Sequence, residues 1–182
     1  MGTSIDVLFR RPEQFDAERL TDRLNACFAR SIDDLSSLQS HAWYSTHQRS
    51  WTLTHVPADG NEPSYFYDEG PFGFDVHLYS NVILLSHAER FGRAHFDDSP
   101  VAKQIQRLID AVVVSVCGDA SFCAVAAGMG DSDVAVDLAY YKHADLSAVT
   151  ESLTDTLGQP CLTWDDLNGD SGVWLNRGAG VR

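Results

Sequence analysis

Two periods of hydrophobic and polar residues alternate along this chain, and each change of period marks a new element. From Ser4 to Phe9 the period is two, with Ile5, Val7 and Phe9 on one side, which predicts a strand. Pro12 then stands where a first helical turn begins, and Glu13, Asp16 and Glu18 suit the positive end of a helix. Phe15, Leu20, Leu24, Cys27 and Phe28 follow helical spacing as far as Arg30. The segment from Ser31 to Arg49 is polar and rich in Ser and His, and it predicts no regular element. Trp51, Leu53 and His55 alternate with threonines, a strand pattern.

Between Pro57 and Gly73 three prolines and three glycines surround Tyr65-Phe66-Tyr67, which predicts a long surface loop. Phe74, Val76 and Leu78, and then Val82 to Leu85, predict two strands about a Ser80-Asn81 turn, the second apolar on both faces and so central. Ser99 as N-cap and Pro100 at the first helical position open the clearest helix. Val101, Ile105, Leu108, Ile109, Val112 and Val116 form its apolar face, and Gly118 closes it. Phe122–Ala127 and Val134–Tyr141 read as strands joined by a Gly128–Asp133 hairpin turn. Asp145 caps a last helix with Leu146, Val149, Leu153 and Leu157 inward, ended by Gly158 and Pro160. Leu162 and Trp164 suggest a short final strand.

Runs of adjacent strands between helices imply an α+β fold, with a mainly antiparallel sheet and about three helices packed on one face. Residues 1–164 read as a single α+β domain and residues 165–182 as a polar, Gly/Asp-rich C-terminal tail. A chain of 182 residues that is 44% hydrophobic is sufficient for one domain with its own core. None of its four cysteines, Cys27, Cys117, Cys123 and Cys161, has C-x-x-C spacing, so they are expected as reduced thiols without a metal or redox motif. The N-terminus has no basic stretch followed by an apolar core, and the longest apolar run, Val112–Val116, is far short of a membrane span. A cytoplasmic protein is expected.

Charge narrows the function. There are 26 acidic against 13 basic residues, for a net charge of −13, which opposes binding to nucleic acid or anionic membranes and favours a basic partner. No motif employs that acidity catalytically. Asp166, Asn168 and Asp170 have the first spacings of a calcium loop, but Arg177 stands where the bidentate carboxylate belongs. Gly128-Met129-Gly130-Asp131 lacks the Lys-Ser/Thr of a phosphate-binding loop. No G-x-S-x-G elbow is present.

Aromatic residues Trp43, Tyr44, Trp51, Tyr65, Phe66, Tyr67 and Phe72 crowd the polar stretch where Asp59, Glu62, Asp68 and Glu69 concentrate. Aromatic anchors ringed by carboxylates suit a protein-binding surface. The expected function is an acidic cytoplasmic protein-binding module, an inhibitor or immunity-type protein that neutralises a basic partner such as a toxin or nuclease. Its contact residues would be Asp59, Glu62, Tyr65, Tyr67, Asp68 and Glu69, with Asp131 and Asp133 as a second acidic edge, and no cofactor is called for. The alternative is a metal-dependent or His/Asp-based hydrolase centred on His77, His87, His95 and Asp97, since imidazole and carboxylate together can hold a metal or move protons. A homo-oligomer subunit is a third possibility.

Overall fold

Strand β1 (Thr3–Arg10) is buried on both faces: Asp6 and Leu8 are as enclosed as Ile5, Val7 and Phe9. That double burial follows from its place near the middle of a seven-stranded sheet in the order β2-β3-β4-β5-β1-β6-β7. The other strands are β2 (Thr52–Val56), β3 (Tyr65–Glu69), β4 (Phe74–Leu78), β5 (Val82–Glu89), β6 (Phe122–Ala127) and β7 (Trp174–Arg177), and every neighbouring pair is antiparallel. The computed structural model describes residues 3–31, 50–89, 95, 99–118, 121–127, 131–167 and 172–178. The α+β class and the antiparallel sheet are as expected.

The helices, however, cover both faces rather than one. Helix α1 (Ala17–Ala29) and helix α2 (Pro100–Cys117) bury Leu20, Leu24, Ile105, Leu108, Ile109 and Val112 against Ile5, Val7, Phe9, Val76 and Leu85. Helix α3 (Asp131–Tyr141) and helix α4 (Leu146–Leu157) bury Ala135, Ala139, Val149 and Leu153 against Leu8, Leu84, Cys123, Val125 and Trp174. A period of two carries apolar residues to both sides of β1 and β5, so two apolar helical layers are needed to cover them.

The caps of α2 and α4 are those the sequence implies. Ser99 accepts the amide of Ala102, Gly118 ends α2 with a φ of 79°, and Asp145 accepts the amide of Ala148 at the start of α4.

Several local expectations fail. Val134–Tyr141 is not a strand after a hairpin but lies within helix α3. The alternation Val134, Val136, Leu138, Tyr140 conceals a second pattern, Ser132, Ala135 and Ala139, at helical spacing; these are the residues that are fully buried. Small side chains on that stripe let α3 approach the sheet closely. The expected loop Pro57–Gly73 contains strand β3, because Gly60-Asn61 makes a tight turn in which Asp59 and Glu62 exchange backbone hydrogen bonds of 3.1 and 2.8 Å. Trp164 belongs to a single 3₁₀ turn, Trp164–Asp166, rather than a strand. The segment expected as a polar tail contributes β7, whose Trp174 and Leu175 are fully buried.

Gly70 shows how closely the β3–β4 turn is packed. A Cβ there would lie 2.6 Å from the Trp51 ring and 2.7 Å from the Phe74 carbonyl oxygen. Gly70→Ala is therefore expected to cost about 1–3 kcal/mol by overpacking, read as a lower urea midpoint at unchanged slope.

Candidate partner-binding surface

Register places one side chain per strand in transverse rows on the face that carries α3. One row runs Thr52, Glu69, Asp75, Ser86, Asp6 across β2, β3, β4, β5 and β1. The next runs Thr54, Tyr67, His77, Leu84, Leu8. Helix α3 packs on β6, and α4 on β1 and β7. Among the described residues no helix is laid along β3 and β4 on this face, where Tyr65, Tyr67, Asp75 and His77 are half-buried.

The aromatic side chains there form one contiguous set. The Tyr65 ring stacks on His77 at 5.5 Å and 22°, and Tyr67 lies 4.8 Å from the same imidazole. Tyr140, from the end of α3, meets Tyr65 edge-on at 5.4 Å and 85°, and Tyr79 at 5.4 Å. Tyr141, at 45% exposure, continues the set outward, 4.6 Å from Tyr140. Tyr65 and Tyr140 are far apart in sequence. Only the packing of α3 brings them together.

Carboxylates border these rings. Asp59, Glu62 and Glu69 are exposed. Burial and, after it, the field of Glu62 raise the Tyr140 hydroxyl above its ordinary value. The Tyr67 hydroxyl donates to Asp75; burial, with the charge of Asp75, raises Tyr67, while burial lifts Asp75 to about 6. Desolvation lowers His77 to about 4, so this ring is neutral at pH 7. Asp6 closes the row inside the protein. It accepts the hydroxyls of Ser86 and Ser132, and burial lifts it to about 6, with the Asp133 charge adding in the same direction.

The candidate contact residues therefore divide. Asp59, Glu62, Tyr65, Tyr67 and Glu69 share the β2–β3 hairpin or its edge, with Tyr65, Tyr67 and Glu69 on one face. Asp68 points to the opposite face, is fully buried, and accepts the Thr21 hydroxyl at 3.1 and 3.2 Å, so it is no surface contact. The odd–even alternation of β3 determines this: a neighbour of Tyr67 and Glu69 must face the other side. Asp131 and Asp133 begin α3 instead of tipping a hairpin. Asp133 is exposed there, where the helix's positive end favours a carboxylate. Of the other aromatics, Trp51 and Phe72 are buried core residues, and Trp43 and Tyr44 lie outside the described residues. Sequence patterns do not single out Asp75, Tyr140 and Tyr141 as members of this surface, nor the buried Tyr79 that supports Tyr65 and Tyr140 from beneath. Period two in β4 carries a signal for Asp75, whereas the alternation around Tyr140 points to a strand.

The three histidines of the hydrolase alternative do not all come together. His87 and His95 meet within the core on the α1 side, Nδ1 to Nε2 at 2.7 Å, with His87 packed 4.1 Å from Phe74. Each is 1% exposed, and burial followed by the nearness of His87 holds His95 well below its ordinary value. His77 lies on the other side of the sheet, and Asp97 is outside the described residues. Among the described residues no group of three or more His, Cys, Asp or Glu side chains is placed to hold a metal ion. The Asp166, Asn168, Asp170 spacing falls partly outside the described residues, as does Gly128–Gly130. Cys27, Cys117, Cys123 and Cys161 are free thiols, and burial pushes Cys123 up to about 12. No helix among the described residues is long and apolar enough to cross a membrane. Comparison with protein-family models, with curated proteins and with solved structures finds no match.

Proposed function

We propose that this chain is an acidic protein-binding module, acting in the cytoplasm, that captures a basic protein in the manner of an inhibitor or immunity protein. The observation that carries the proposal is the joining of Tyr65, Tyr67, Tyr140 and Tyr141 with Glu62 and Glu69 on the part of the α3 face that, among the described residues, has no helix along it. Each component has a distinct task. Exposed carboxylates accelerate encounter with a basic surface, and tyrosine rings held by one another lose little freedom on contact and slow release. Tyrosine faces also attract Arg and Lys cations directly. A toxin or nuclease, basic because its own substrate is anionic, is the partner class that these charges fit.

The test is capture of a single basic protein by the tagged chain at low and high salt, compared with a Glu69→Lys variant. The wild-type chain should retain a stoichiometric basic partner at low salt, with retention falling as salt rises. Glu69→Lys should slow association about tenfold with little change in melting temperature, as expected for a charge at an interface rim. Equal retention by both forms, or retention indifferent to salt, would overturn the proposal.

A further inference from the structure

The two edges of the sheet are treated differently. At one edge, β7 is covered by backbone: the Cys161 amide donates to Trp174 at 2.8 Å, and the Asn176 amide donates to Cys161 at 3.0 Å. At the other, β2 ends the sheet, and among the described residues nothing pairs with its outer side. Proteins usually protect such an edge with Lys, Pro, a bulge or a covering segment. Thr52-Leu53-Thr54-His55-Val56 contains neither Lys nor Pro, pairs with β3 residue for residue, and leaves Thr52, Thr54 and His55 exposed. The segment is also rich in β-branched residues, which favour extension.

We infer that β2 is a docking edge, where an extended basic segment of the partner adds as an eighth strand. This rests on the proposed capture of a basic protein and specifies how it is done. Charge selects the occupant. From residue 50 to residue 89 the chain has six Asp or Glu and no Lys or Arg, so the hairpin repels a second copy of itself and attracts a cationic strand. Side-chain geometry agrees. On the tyrosine-bearing face β2 presents Thr52, Thr54 and Val56, opposite Glu69, Tyr67 and Tyr65. An added strand would lie two strand spacings, about 10 Å, from β3. Arg or Lys at alternate positions spans that gap across the short threonines and meets Glu69 and the tyrosine rings. Backbone pairing at β2 then supplies affinity, and the alternate cations supply selection.

A suitable probe is a ten-residue peptide of alternating Arg and Thr with blocked ends, together with the same peptide methylated on its backbone nitrogens. The second keeps every charge and side chain but cannot donate to β2. The unmodified peptide should bind at low salt, slow amide exchange within Thr52–Val56 at least tenfold, and bind at least tenfold more tightly than its methylated form. Equal binding of the two peptides, or binding without protection of β2, would overturn the docking edge. The acidic-face proposal would survive that result if Glu69→Lys still weakened both. No binding of either peptide would overturn both proposals. Protection of β2 that rises with protein concentration alone, with a dimer in sedimentation, would assign the edge to a second copy and overturn the basic-strand occupant.

Discussion

Replacing Asp6 with Asn is expected to stabilise this protein by about 2 kcal/mol at pH 7.5 and to have almost no effect at pH 4. The carboxyl is 7% exposed in the middle of the sheet, and burial raises it from its ordinary 3.8 to about 6. A folded value above the unfolded one means that the native state holds the proton more tightly. Stability from this group is thus complete below about pH 4 and is lost as pH rises through 6, by up to about 3 kcal/mol for a shift of this size. Asn has nearly the same shape and can still bond to the hydroxyls of Ser86 and Ser132, but it has no charge to desolvate and no repulsion from Asp133. Some of the gain is offset by imperfect bonding of the amide.

The diagnostic quantity is the difference between variant and wild type in urea unfolding at several pH values from 4 to 7.5. Asp68 and Asp75, also raised to about 6, share the sign of Asp6 and are common to both proteins. His77 and His95 act oppositely, since their lowered values favour the native state above pH 6.5 and cost stability as pH falls toward 4. A difference that stays constant from pH 4 to 7.5 would refute this account of Asp6, as would destabilisation at the upper end.

Trp174→Ala should damage the fold severely, costing about 4 kcal/mol, within the usual range for a buried Trp. The indole is fully buried between β6 and α4, in the core cluster that includes Leu8, Val125, Val149 and Leu153. Its N–H donates to the Gly158 carbonyl at 2.9 Å, at the end of α4. Truncation would empty that space and leave the carbonyl to find water. Leu162→Ala serves as the control: at 54% exposure it should change stability by less than about 0.5 kcal/mol. Similar urea midpoints for Trp174→Ala and wild type would mean that β7 is not part of the cooperative fold.

Asp6 and Trp174 mark the boundary between what can and cannot be inferred from the chain. Helix α2 is legible because its signals are local: Ser99 and Pro100 open it, a single apolar stripe runs its length, and Gly118 takes the left-handed conformation that ends it. Strands β1 and β5 are legible from period two and from an apolar run respectively. The clustering of Asp59, Glu62, Tyr65, Tyr67 and Glu69 is legible too, since they are close in sequence, but the β2–β3 hairpin that carries them is not. Sequence patterns do not distinguish the small-residue stripe of α3 from strand alternation, because Ala is compatible with either and the larger residues fall at every second position. Nor do they show that Asp68 turns inward to Thr21, because that depends on β3 existing at all, and β3 forms only when its neighbours offer hydrogen bonds on both sides.

By itself, then, the sequence determined the acidity of the molecule, its α+β class and the helices with their own caps, all of which depend on composition or on contacts within a few residues. Tertiary structure alone decided that the helices form two layers, that Asp6 sits buried beside Ser132, and that Tyr140 closes on Tyr65. It also decided that β7 is shielded while β2, among the described residues, remains a bare edge. Each of these depends on which distant segments compete successfully for the same apolar face or the same row of backbone hydrogen bonds, and no local pattern records the outcome of that competition.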